Sequence, residues 1–148
     1  MRLAKQNLPE SPTVPSEQER LLRARLIYEE ALETIWDGLG VLVDFNYEKL
    51  KLDGTLEPEF KIGGEFDLVE TVDGCCDLAV VTTGTLSCCG VSDISVQEEV
   101  DRNNLAKFGP GYELREDGKL LKPPDHLPPD LEHLLELQKS GEAHGQCD

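Results

Sequence analysis

Between Phe66 and Cys89 the chain is almost entirely apolar or small, yet it carries three carboxylates, Glu70, Asp73 and Asp77. At roughly 100° per residue these positions, i, i+3 and i+7, fall within an arc of roughly 60° on a helix. The residues around them (Leu68, Val69, Val72, Leu78, Val80 and Val81) leave few positions for a solvated face. At least some of the carboxylates must therefore face neighbouring helices. There, mutual repulsion and desolvation raise their pKa values unless cations compensate. The feature demands a helical architecture with an acidic stripe turned toward a neighbour.

A partner stripe precedes it. Leu8 to Pro15 contains three prolines and reads as an extended lead-in, and Ser16 followed by Glu19 forms a capping-box signature. The apolar positions Leu21, Leu22, Leu26, Ile27, Leu32 and Ile35 then predict a helix to about Gly38, with Trp36 as a core anchor. On this helix Glu29, Glu30, Glu33 and Asp37 span an arc of roughly 100° over two turns.

The remaining elements follow from breaks in that rhythm. Val41, Val43, Phe45 and Tyr47 alternate, Asp53-Gly54 offers a turn, and Phe60 and Ile62 alternate again, so a short β-hairpin is inserted between helices at about residues 40–65. The second helix is expected from about Phe66 to Cys89, closed by Gly90. The third runs from about Asp93 to Phe108, closed by Gly109-Pro110. With 148 residues, the chain reads as one domain. It has a helical core over 16–108 and a tail over 109–148, where Asp117-Gly118 forms a tight turn and a short helix spans Asp130 to Lys139. Leu131, Leu134, Leu135 and Leu137 provide that helix with a packing face, and residues beyond Ser140 are expected to be disordered.

Charge narrows the function. The net charge is −16, and residues 26–101 hold three basic side chains against eighteen acidic ones. Nucleic-acid binding through phosphates calls for Lys and Arg patches, so it is excluded as an expectation. A membrane span is not expected either, because no apolar run approaches the roughly 20 residues required. The start of the chain lacks a secretory pattern, and the cytoplasm is the expected compartment. Cys75, Cys76, Cys88 and Cys89 come as adjacent pairs with Cys147 apart. Neighbours on a helix point about 100° apart and no histidine lies near, so they read as small packing residues rather than zinc ligands. His126, His133 and His144 all lie in the tail, which argues against a histidine in catalysis.

Two acidic stripes on consecutive helices, one within a nearly apolar segment, point to Mg²⁺. This ion prefers hard oxygen ligands and keeps waters that a phosphate can displace. The plainer alternative is that both stripes are solvated faces of amphipathic helices. Arg102, Asn104 and Lys107 at the end of the third helix can bind phosphate oxygens, although basic residues there also complement a helix C-terminus.

At this point the chain resembles the all-α nucleoside triphosphate pyrophosphohydrolases, the MazG-like and phosphoribosyl-ATP pyrophosphohydrolase-like superfamily. The family's EExxE corresponds to Glu29-Glu30-Ala31-Leu32-Glu33, and its ExxD to Glu70-Thr71-Val72-Asp73. Asp77 to Leu86 is similar to the family's DLLYVxxGTAL segment, Val100 to Pro110 to VHRSNMSKxGP, and Arg115 to Pro123 to REDGKxxKP. Asp101 stands where His is common, and the insertion from Gly40 to Glu65 is longer than in compact members.

The resemblance implies an all-α fold: a helical bundle completed by dimerisation, as a homodimer or homotetramer, with the hairpin and tail as additions. It implies Mg²⁺, with Mn²⁺ as a substitute, bound by Glu30, Glu33, Asp73 and Asp77 with help from Glu29 and Glu70. It also implies hydrolysis of a nucleoside triphosphate to the monophosphate and pyrophosphate, as in clearing noncanonical nucleotides. Glu29 orients or deprotonates the attacking water, and Asn104 and Lys107, joined by Arg102 and Lys122, hold phosphate oxygens. A phosphoribosyl-ATP pyrophosphohydrolase and a non-catalytic acidic helical interaction module remain as alternatives.

Overall fold

A computed structural model describes residues 8–45, 58–108, 112–116 and 118–141. The chain is mostly helical with one small antiparallel hairpin, and it divides into two compact units: Pro15–Thr85, and Met1–Val14 together with Leu86–Asp148.

The first unit opens with α1 (Glu17–Glu33). Ser16 caps it as expected, its hydroxyl accepting the Glu19 N–H at 3.2 Å. The return half of the capping box is replaced by an ion pair, with Glu19 reaching Arg23 Nη2 at 3.6 Å. A wider π-helical turn, Thr34–Gly38, carries the helix to the glycine at which the sequence expected it to end. The hairpin follows as β1 (Val41–Phe45) and β2 (Pro58–Ile62), in register Val41 opposite Ile62 and Val43 opposite Phe60. Gly63 and Gly64 both donate to the Gly40 carbonyl at 2.9 Å, and Asp67 N–H donates to Gly38 O at 2.8 Å, so the hairpin is fastened at its base.

Next comes α2 (Leu68–Cys88), capped by Asp67, whose Oδ1 accepts Val69 N–H at 2.8 Å and Glu70 N–H at 3.2 Å. Its half-buried positions Thr71, Gly74, Leu78, Val81 and Thr85 recur at helical spacing and mark its packed side. Two glycines make that packing possible. A side chain at Gly38 would strike the Thr71 backbone, and one at Gly74 would strike Thr34.

The second unit begins where α2 ends. Gly90, at φ +70°, supplies the left-handed stop, and a Cβ there would collide with the Ser11 carbonyl. Thr13 N–H donates to Cys89 O at 2.8 Å, tying the lead-in to this turn. Then α3 (Asp93–Leu105) continues into a 3₁₀ turn, Ala106–Phe108. A small loop closed by Arg115 and Lys119 precedes α4 (Leu131–Ser140), which packs on α3. Gln138 on α4 completes the start of α3. Its amide oxygen accepts Ser92 N–H at 2.9 Å, and its amide nitrogen donates to Ser92 O at 3.0 Å and Ser95 Oγ at 3.2 Å.

Two packing expectations need correction. Trp36 is 46% exposed rather than a core anchor, and Cys75 and Cys76 are exposed, whereas Cys88, at 2%, is buried and Cys89 half-buried. Both lie on apolar runs that the described residues leave partly uncovered. Val69, Val72 and Val80, on the side of α2 away from its packed face, remain open to solvent. Tyr47, the Asp53-Gly54 turn, the Gly109-Pro110 stop, Asp117, His144, Cys147 and the expected disorder beyond Ser140 lie outside the described residues. Among the described residues, no single helix is long and apolar enough to cross a membrane.

Candidate functional site: converging carboxylates on α1 and α2

The packed stripe of α1 runs through Arg23, Leu26, Ile27, Glu30, Ala31 and Thr34, at helical spacing. Glu30 is thus the one acid of EExxE in that stripe, half-buried, whereas Glu29 and Glu33 flank it and are exposed. On α2 the acids Glu70, Asp73 and Asp77 are exposed and lie roughly a quarter-turn from the packed side. Another rough quarter-turn beyond them comes the uncovered face of Val69, Val72, Cys76 and Val80.

The two stripes meet electrostatically at Glu30. Its carboxyl is pushed above the usual range, first by desolvation, then by the negative charges of Asp77, Glu33, Glu29 and Asp73. Two of these charges come from α1 and two from α2. Glu70 is not among them. Its backbone N–H helps close the Asp67 cap at the start of α2.

The close approach of Gly38 to Thr71, and of Thr34 to Gly74, sets this convergence. Thr34 is held in turn by a 2.7 Å bond from its hydroxyl to Glu30 O. The donor atoms on offer are all carboxylate oxygens, which suits a hard divalent ion. Among the described residues, no group of three or more Asp, Glu, His or Cys side chains is gathered closely enough to hold a metal as it stands.

The expected phosphate-binding residues belong to the second unit. Lys107 Nζ donates to Asn104 Oδ1 at 2.6 Å, joining two of them. Arg102 holds Glu99 through Nε and Nη2, both at 2.7 Å, and Lys122 is exposed. Sequence reasoning missed Glu99, although its i, i+3 spacing from Arg102 was a usable signal. It also missed Asn103, which is buried, donates to Leu127 O at 2.8 Å and meets His126 Nε2 at 2.9 Å. Nothing in the run Arg102-Asn103-Asn104 distinguishes the buried asparagine from its exposed neighbour.

Comparison with models of known protein families gives no match, and comparison with curated protein sequences gives none either.

Proposed function

We propose that the chain is a divalent-metal-dependent nucleoside triphosphate pyrophosphohydrolase of the all-α, MazG-like type, which works as a homodimer or a larger homo-oligomer. The observation that carries the reading is the close approach of the two acid-bearing helices at Gly38–Thr71 and Thr34–Gly74, which leaves Glu30 of α1 within reach of the charges of Asp73 and Asp77 of α2. The ordered resemblance of segments from Glu29 to Pro123 supports it.

Mg²⁺, with Mn²⁺ as a substitute, neutralises polyphosphate charge and acidifies water when bound. Glu30, Glu33, Asp73 and Asp77 hold it, with Glu70 assisting from the first turn of α2. Glu29, exposed on the edge of the stripe, orients the attacking water and takes its proton. The water oxygen bonds to the α-phosphorus, the bond from that phosphorus to the bridging oxygen breaks, and pyrophosphate leaves. Arg102, Asn104, Lys107 and Lys122 are the proposed phosphate contacts.

A second copy of the chain covers the apolar face of α2. Val69, Val72 and Val80 lie beside the acids, so covering them also shields the acidic stripe from bulk water, where its hold on a cation strengthens.

The test is pyrophosphate release from a panel of nucleoside triphosphates and phosphoribosyl-ATP with Mg²⁺. Release that Glu33→Ala or Asp73→Ala abolishes, with helicity retained, supports the reading. No release from any substrate overturns it, and an acidic interaction module then remains.

A further inference from the structure

Resting on the pyrophosphohydrolase reading, we propose that Glu99 is a positioning residue: it fixes Arg102 so that the unused edge of the guanidinium takes a substrate phosphate oxygen. The two side chains are unequal partners. Glu99 is 14% exposed and Arg102 68%. The carboxylate is therefore the anchored member and the guanidinium the presented one.

Glu99 is itself held from a second element. Its Oε1 accepts Arg102 Nη2 at 2.7 Å and also the backbone N–H of Asp130 at 3.0 Å, while Oε2 accepts Arg102 Nε at 2.7 Å. The Asp130 carboxylate is exposed, and its Oδ1 caps α4, accepting His133 N–H at 3.2 Å.

An arginine offers donors on three nitrogens in a fixed plane, and this pairing uses one edge only. Nη1 and the second Nη2 hydrogen are left for another acceptor. Arg102 lines an open cavity of about 500 Å³ together with Asn103, Ala106, His126 and Leu127. A planar fork already fixed on one side loses little further rotamer freedom when an oxyanion docks on the other. Glu99, Asp125 and Asp130 also line this cavity. Their charges oppose a bare anion and favour a polyphosphate already neutralised by a divalent cation.

The experiment measures binding of magnesium tripolyphosphate by calorimetry to wild type, Glu99→Gln, Arg102→Lys and the double variant. Each single change is expected to weaken binding by roughly 3- to 10-fold, the scale of one charge-assisted hydrogen bond. The double variant should bind no more weakly than Arg102→Lys alone, since Glu99 acts through Arg102. A merely structural Glu99 would instead give losses that multiply, and that result overturns the proposal. So does unaltered affinity in Arg102→Lys, a change at an exposed position that leaves the fold intact, or a wild type that binds no tripolyphosphate. Pyrophosphate release is scored separately. Coupled binding without release from any nucleotide overturns the hydrolase reading alone, and release without the coupling overturns this proposal alone.

Discussion

Gly38 lies so close to Thr71 that a Cβ on the glycine would stand 2.7 Å from the Thr71 Cα and 2.8 Å from its N. This contact presses the end of the first acidic helix onto the start of the second. Gly38→Ala therefore forces the backbone of α2 to move, and overpacking of this kind costs about 1–3 kcal/mol. Urea unfolding should show that loss, together with weaker Mg²⁺ binding. Gly118→Ala is the control: φ is +82° with open space around it, so it incurs only the left-handed penalty of about 1–2 kcal/mol and leaves Mg²⁺ binding alone. Equal Mg²⁺ affinity in both variants would show that the contact does not set the acidic cluster.

Glu30 supplies the electrostatic counterpart. Its folded-state pKa is raised by desolvation and by its acidic neighbours, so at neutral pH its ionised form works against folding. Glu30→Gln should raise the metal-free melting temperature at neutral pH, with the gain fading as the medium becomes acidic. On the proposed reading Mg²⁺ should raise the melting temperature of the wild type, and the same variant should lose that response. A melting temperature that responds to Mg²⁺ as strongly in the variant as in the wild type would remove Glu30 from the metal site.

Glu99 titrates in the opposite sense. Its carboxyl is lowered from 4.5 to about 2, first by the hydrogen bonds from Arg102 and then by the Asp130 N–H. A carboxyl depressed in the folded state stabilises the fold above its unfolded pKa. That contribution fades as the pH falls from 4.5 toward about 2. The stability difference between wild type and Glu99→Gln should accordingly be largest near neutrality and shrink across this acid window, as chemical unfolding at a series of pH values would reveal. A difference independent of pH would mean that the ionised carboxylate contributes nothing.

The uncovered side of α2 leads to a test of assembly. Val80 is 67% exposed on a face shared with Val69 and Val72. Burying an arginine there without a partner charge is unfavourable, so Val80→Arg should convert the proposed oligomer to monomer in sedimentation velocity while the isolated chain keeps its helicity. A wild type that sediments as a monomer at high concentration would leave that face without the proposed occupant.

Most of the helical architecture was legible because its signals are local. Ser16, Gly90 and Asp130 act through their own backbone neighbours, and each marks a boundary in the structure close to its expected place. The strands Val41–Phe45 and Pro58–Ile62 were equally readable from two-residue alternation. Exposure was not readable in the same way. Trp36, Cys75 and Cys76 belong to apolar runs, and a run does not say whether its cover comes from the same chain. The acidic stripes were legible as stripes, but singling out Glu30 required knowing which side of α1 packs. The Arg102–Glu99 fork and the Asn103 contacts to His126 and Leu127 depend on where the tail returns, which spacing along one helix cannot encode.

The clasp between Gln138 and Ser92 has a consequence for the order in which the second unit is completed. The two residues are 46 apart in sequence, so during synthesis the opening turn of α3 leaves the ribosome well before the amide that finishes it. Until then the Ser92 N–H must hydrogen-bond to water. A nascent chain halted short of α4 would lack the three hydrogen bonds that Gln138 makes to the start of α3.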